Sequence, residues 1–73
     1  MTAPAITVRA IPGNHGFEVI RTGILGNRAI GFRLHAIDAN QLAREHHELV
    51  RLFFQPGVTP EPTLELWEAP DAA

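Results

Sequence analysis

The chain contains one run of four side chains that could bind a metal or carry protons, Glu45-His46-His47-Glu48. Imidazole and carboxylate groups are common zinc ligands and common general acids and bases. Adjacent residues of a helix, however, point about 100° apart, and a helical metal site needs ligands three or four residues apart. A metal site would therefore need ligands from His15 or from a second chain. We expect no metal and no cofactor, with His46 on the apolar side of a helix and His47 facing outward.

A second candidate for chemistry is the pair Glu18 and His35, which the strand register derived below places opposite each other. A carboxylate that orients an imidazole is part of a catalytic triad. The chain has no Cys, Ser, Tyr or Lys, which leaves only Thr7, Thr22 or a water activated by His35 as a nucleophile. The simpler interpretation is a surface charge pair worth ~0.2–1 kcal/mol. We expect no catalytic residue and no enzymatic activity.

The composition is typical of one small folded domain: 73 residues, 45% apolar and 19% charged. No apolar run approaches the ~20 residues that cross a membrane, and the N-terminus lacks a signal-peptide pattern. We therefore expect no membrane contact. A small domain without cysteine is typical of the cytoplasm, and six arginines without any lysine suggest a bacterial or phage protein.

Charge divides the chain into two parts. Residues 1–55 carry a net charge of +2 and form the expected β-β-β-α core domain. Residues 56–73 carry a net charge of −4 and form a Pro-rich, acidic C-terminal segment. Such a segment either folds back onto the core or meets a basic partner.

Alternating apolar and β-branched residues predict three strands, at 5–12, 17–25 and 28–37. They are separated by turns at Gly13–Gly16 and at Gly26-Asn27, where glycine and asparagine tolerate the required backbone angles. The three strands should form an antiparallel meander, because the connections are short.

A helix should follow, from Asp38 to about Gln55. Asp38 with Gln41 three residues later resembles a capping box, and Pro56-Gly57 stops the helix. Its apolar stripe comprises Leu42, His46, Leu49, Val50 and Phe53. A short strand at about 63–68 completes the predicted α+β fold: a three-stranded antiparallel β-meander, one α-helix packed on one face, and a short C-terminal β-strand (β-β-β-α-β).

The two turns also set the expected register. A two-residue turn at Gly26-Asn27 pairs residue 19 with residue 34, and a four-residue loop at 13–16 pairs residue 10 with residue 19. These pairings place the apolar side chains of the three strands, Phe32 included, beneath the helix; Arg21 is the exception. The opposite, outer face then carries Arg9 and Arg33 beside four isoleucines, Ile11, Ile20, Ile24 and Ile37. Such a face is more apolar than a monomer needs.

We therefore expect a non-enzymatic interaction or assembly module, of an accessory or inhibitor kind, that binds a protein partner and forms homo-oligomers. The contact residues would lie on the outer face (Arg9, Ile20, Arg33, His35) and in the tail (Leu64, Leu66, Trp67). The tail strand would join the chain's own sheet or that of another chain, with Trp67 facing outward.

The alternative is a small nucleic-acid-binding regulator, such as an antitoxin, that uses Arg9 and Arg33 on the outer sheet face. The sequence pI of about 6.0 and the absence of lysine and tyrosine disfavour this alternative.

Overall fold

The computed structural model describes residues 3–23, 26–58 and 60–69. In chain order the elements are β1 (Ala5–Ala10), β2 (Phe17–Thr22), β3 (Arg28–Arg33), α1 (Ala36–Arg51) and β4 (Thr63–Glu65). The strands form one sheet in the order β3-β2-β1-β4, in which β1 pairs antiparallel with β2, β2 antiparallel with β3, and β4 parallel with β1. Because α1 packs against this sheet, the predicted α+β fold is confirmed.

Each strand ends earlier than predicted. The strand β1 ends at residue 10 rather than 12, β2 at 22 rather than 25, β3 at 33 rather than 37, and β4 at 65 rather than 68. Of the residues assigned to these strand ends, Ile24 and Leu25 lie outside the described residues.

The core lies between α1 and the centre of the sheet. Ile6 and Val8 project from one face of β1, and Val19 of β2 lies directly opposite Val8. Ala39 and Ala43, one turn apart on α1, complete the cluster, and none of the five is more than 5% exposed. Because burial of a valine or isoleucine side chain contributes about 1.5–3 kcal/mol, these contacts hold α1 on the sheet.

A close approach between α1 and β3 depends on a glycine. A methyl group added at Gly31 would lie 2.8 Å from Leu42 Cδ2, well inside van der Waals contact. The absent side chain at Gly31 therefore leaves the space that Leu42 occupies above the sheet.

The predicted apolar stripe of the helix is wrong in part. Leu42 and Val50 pack against the core, as expected, but Leu49 is 55% exposed and Phe53 is 81% exposed. The buried face is centred on the two small alanines rather than on the bulky residues, and Leu49 is rotated about a quarter turn from Ala39. Phe53 lies beyond the end of α1, where helical periodicity no longer applies.

The predicted helix ends are also wrong. His35 is the N-cap, and its carbonyl oxygen accepts the first helical hydrogen bond, from Ala39 N–H (3.0 Å). Asp38 therefore lies in the first turn, where its charge favours the helix dipole, instead of capping the helix. At the other end, Phe53 and Phe54 donate to carbonyls three residues back, a tighter pattern that ends α1 before Gln55.

The register of β1 and β2 differs from the prediction by two residues. Ala10 lies opposite Phe17, and Val8 lies opposite Val19. The connection spans 11–16, and Ile11 N–H donates to the Gly16 carbonyl (2.9 Å). A shift of two residues keeps every side chain on its predicted face, because side chains alternate with a period of two.

The predicted register of β2 and β3 is wrong, and the error moves side chains of β3 to the other face of the sheet. The strand β2 ends before Gly23, and Gly26 N–H donates to the Gly23 carbonyl (3.0 Å), so the connection is a five-residue segment, 23–27, rather than a two-residue turn. Val19 then lies opposite Gly31, and a bulge at Val19/Ile20 shifts the pairing again.

In this register, several residues of β3 and of the following segment lie on other surfaces than predicted. Phe32 lies opposite Glu18 on the outer face, whereas Arg33 lies opposite Phe17 on the helix side. His35 and Ile37 belong to the start of α1, and Ile37 is 79% exposed there. The predicted outer face with four isoleucines and two arginines is therefore not formed.

Gly16 offers a direct test of the Phe32 position. Its backbone φ is +107°, and a methyl group there would lie 2.7 Å from Phe32 Cζ and 2.8 Å from the Arg33 carbonyl oxygen. We expect Gly16→Ala to lower the free energy of unfolding by about 1–3 kcal/mol beyond the cost of backbone strain, measured by urea denaturation. Gly57→Ala is the control, because Gly57 also has a positive φ (+79°) but no atom within 4 Å. Equal losses in the two variants would contradict the packing of Phe32 over Gly16.

Candidate functional site

The outer face of the sheet brings together two of the predicted contact residues, Arg9 and Ile20. Arg9 Nε donates to Glu18 Oε1 (3.0 Å), Arg9 Nη2 donates to the same oxygen, and the two side chains form an exposed ion pair. Ile20 lies opposite Thr7 and Ala29 and is only 9% exposed. Arg9 is thus engaged within the chain, and Ile20 offers little surface to a partner.

Arg33 and His35 lie elsewhere. Arg33 is on the helix side of β3, where it lines an open groove with four residues of α1, Asp38, Gln41, Leu42 and Glu45. His35 is exposed at the N-cap of α1, so the predicted pair of Glu18 with His35 does not form. The nucleic-acid hypothesis stays a prediction, but the surface on which it was based is divided between two faces.

The tail folds onto the chain's own sheet. The strand β4 pairs parallel with β1, and Thr63 N–H donates to the Pro4 carbonyl (2.9 Å). Leu64, Leu66 and Trp67 all pack against the core. Trp67 meets Phe17 edge-to-face with 4.9 Å between ring centroids, so the prediction that Trp67 faces outward is wrong. A role for these three residues in partner binding stays a prediction.

Two helix residues hold the tail in place: Asn40, which the sequence pattern did not single out, and His47, which it placed on the outer side of the helix. Asn40 Nδ2 donates to the Trp67 carbonyl oxygen (3.1 Å), and Trp67 N–H donates to Asn40 Oδ1 (2.9 Å). His47 Nε2 donates to the carbonyl oxygen of the buried Pro62 (3.2 Å), so His47 does not face outward as predicted. An asparagine inside a helix, where it is a poor helix former, was the available signal for a backbone-binding role.

The longer of the two edge strands is β3, which pairs with β2 alone among the described strands; the other edge strand, β4, has three residues. Its middle residues, 29–32, carry no charge, and Arg28 and Arg33 lie at its two ends. Arg33 Nη1 donates to the Phe32 carbonyl oxygen (2.7 Å). The groove between this edge and α1 has a volume of about 320 Å³ and is lined mainly by polar side chains. An exposed strand of this length is a template for pairing with another strand.

His46 lies on the sheet side of α1. Its Nε2 atom is buried, and no described residue forms a hydrogen bond with it. Burial is the main cause that lowers the pKa of His46 below the ordinary value of histidine, and the nearby Arg21 guanidinium lowers that pKa further. His46 is therefore held in its neutral form over a wider pH range than a free histidine.

The described residues contain no group of three or more His, Cys, Asp or Glu side chains placed to hold a metal ion. The run from Glu45 to Glu48 illustrates why. Glu45 lines the groove beside β3 and accepts from Gln41 Nε2 (3.3 Å), His46 faces the sheet, and His47 contacts the tail. Within the same ranges, no helix is long and apolar enough to cross a lipid bilayer.

Comparison of the chain with protein-family models, with curated proteins and with solved structures finds no match. Any functional conclusion must therefore come from the site geometry itself.

The clamp formed by Asn40 can be tested by Asn40→Ala. We expect this change to lower the free energy of unfolding by about 1–3 kcal/mol, because two hydrogen bonds to the Trp67 backbone are lost. The loss should occur even though alanine is the better helix former. Gln41→Ala is the control, since Gln41 is the exposed neighbour and, among the described residues, bonds Glu45 of the same helix rather than the tail. Urea denaturation followed by Trp67 fluorescence measures both, and equal stability of the two variants would refute the clamp.

The environment of His46 predicts a pH-dependent stability. As the pH falls below about 6.5, the unfolded chain takes up a proton at His46 more readily than the folded chain does. The free energy of unfolding should therefore decrease between about pH 7.5 and pH 5.5, and His46→Gln should flatten that decrease. His15→Gln, which removes an exposed imidazole instead, is the control. Denaturation series at each pH measure these slopes, and a parallel decrease in parent and His46→Gln would exclude this origin.

Proposed function

We propose that the protein is a non-enzymatic interaction module that binds a second copy of itself through the open edge of β3. The observation that supports the proposal is the six-residue edge strand Arg28–Arg33, which has no strand partner on one side within the described chain. Backbone N–H and C=O groups along such an edge gain hydrogen bonds when another strand is added.

Exposed apolar side chains flank this edge at both ends. Leu34, 69% exposed, follows β3 directly at the start of α1. His46 of α1 lies near Arg21, which is paired with Arg28, so the C-terminal half of α1 lies near the beginning of β3. There Leu49 is 55% exposed, and Leu52 and Phe53 are 77% and 81% exposed. Apolar side chains of this size, gathered beside a sheet edge, indicate a contact surface.

A second copy fits this distribution better than an unrelated strand does. Antiparallel pairing of two β3 edges about a twofold axis brings the start of α1 in one copy beside the end of α1 in the other. Leu34 of each copy then approaches Leu52 and Phe53 of its neighbour. One self-complementary surface thereby covers both apolar ends, as an isologous dimer requires. Arg28 and Arg33 at the strand ends disfavour a register in which they lie directly opposite each other.

The test is the solution mass of the chain, measured by light scattering after size exclusion over a range of concentrations. We expect a dimer, and we expect Leu34→Lys to weaken dimerisation by about tenfold or more, because the lysine must be desolvated at the interface. Ile37→Lys is the matched control. Ile37 is equally exposed, at 79%, but lies two residues from the buried Ala39 and so on the side of α1 that faces away from the sheet.

A monomeric parent protein at every concentration would overturn the proposal. So would equal weakening by Leu34→Lys and Ile37→Lys, because it would place the interface away from the β3 edge. Since the chain has no cysteine, a mixture of Leu34→Cys and Leu52→Cys chains provides a second readout. A disulfide that forms only in the mixture supports antiparallel pairing, and its absence under mild oxidation contradicts that geometry.

A further inference from the structure

Two arginines lie directly opposite each other on neighbouring strands, on the helix side of the sheet. Arg21 of β2 lies opposite Arg28 of β3, and on its other side Arg21 lies opposite the fully buried Ile6. Cross-strand partners project from the same face, so both guanidinium groups are on the side of the sheet that α1 covers. The Cβ atoms of directly paired residues are ~4.5–5.5 Å apart, which brings the two side chains within reach of one small ligand.

No carboxylate of the described residues forms an ion pair with Arg21 or Arg28. Among the described residues the only ion pair is Arg9 with Glu18, on the opposite face of the sheet. That pair shows the usual arrangement, in which a cation lies opposite an anion on neighbouring strands. Arg21 and Arg28 do not follow this arrangement, because both are cations. Directly opposed like charges destabilise a sheet. The arrangement is unfavourable in the free protein and becomes favourable once an anion binds between the two guanidinium groups.

A third polar group faces the same position from α1. His46 is close enough to Arg21 for the guanidinium charge to act on the imidazole, and its Nε2 atom is buried without a hydrogen-bond partner among the described residues. A buried ring nitrogen without a partner is uncommon and unfavourable. His46 of α1 and Arg21 of β2 are thus neighbours, and Arg28 of β3 lies opposite Arg21, with both arginines exposed to solvent.

We propose that Arg21, Arg28 and His46 form a binding site for a phosphate group. A guanidinium presents two parallel N–H groups that match the spacing of phosphate oxygens, and two such groups neutralise a dianion. The His46 ring lies beside Arg21 and reports on an anion bound there. The proposal involves side chains on the helix side rather than the backbone edge of β3, and it holds whether or not the chain dimerises.

The test uses inorganic phosphate as the probe and NMR signals of the arginine Nε–H groups and of the His46 ring as the readout. We expect saturable shifts of Arg21, Arg28 and His46 signals, against a background of chloride at the same ionic strength. Arg28→Gln should weaken binding about tenfold, whereas Arg44→Gln should change it less than about twofold. The two variants lose the same charge, but Arg44 lies on the solvent side of α1, directly after the buried Ala43.

Thermal unfolding gives an independent readout. Phosphate should raise the melting temperature of the parent and of Arg44→Gln, but not that of Arg28→Gln, because only a ligand of the folded state stabilises it. Without phosphate, Arg28→Gln should melt above the parent at low salt, since the Arg21–Arg28 repulsion is removed. A nucleoside 5′-monophosphate is titrated in parallel. Equal affinity identifies the phosphate group alone as sufficient, and tighter binding identifies a phosphate ester as the ligand; both support the site.

Three results would overturn the proposal. They are shifts that do not saturate, equal weakening by Arg28→Gln and Arg44→Gln, and saturable shifts at other arginines with none at Arg21 and Arg28. The second of these would show that the net charge of the chain, and not a defined site, attracts the anion. A monomeric parent protein would leave these outcomes unaffected, so this inference and the proposed self-association can fail separately.

Discussion

The contact of Ala39 and Ala43 with Ile6, Val8 and Val19 brings the backbone of α1 close to the centre of the sheet. Two methyl groups on the helix and the space above a glycine on β3 make this approach possible, and larger side chains would hold the two layers further apart. The position of α1 determines which of its flanks meets the tail and which meets the open edge of the sheet. The remaining features of the molecule follow from that placement.

On one flank, α1 fixes the C-terminal segment. Asn40 replaces a missing strand partner by binding both the N–H and the C=O of Trp67, and His47 binds the carbonyl of Pro62. These polar contacts satisfy backbone groups that would otherwise be shielded from water without a partner. They also bring the Trp67 ring against Phe17, which adds a large apolar surface to a small core. The acidic tail is therefore part of the fold rather than an appendage to it.

On the other flank, α1 stands beside a sheet edge that the chain leaves open. The charges of the sheet are distributed unevenly around this edge: Arg9 and Glu18 neutralise each other on the outer face, whereas Arg21 and Arg28 oppose each other on the helix side. Satisfied charges stabilise a monomer, and unsatisfied charges and open edges gain free energy from a ligand or a partner. The features that make this side of the molecule unfavourable in isolation are the ones that support both proposals.

The sequence by itself determined the element types and their order, because alternation, helical periodicity and Pro-Gly stops are local signals that each segment carries alone. It also determined on which side of the sheet each side chain of β1 and β2 lies. An error of two residues in the register leaves the alternation of side chains unchanged. Only the tertiary structure decided on which side of the sheet the side chains of β3 lie. A longer connection and a bulge change the alternation of these side chains, and residue spacing predicts neither of them. It likewise decided that two alanines, rather than Leu49 and Phe53, form the buried face of α1: the distance between the layers favours small side chains there. The opposition of Arg21 and Arg28 depends on the register of β2 and β3, and pairing between strands is a property of the sheet that no single segment contains.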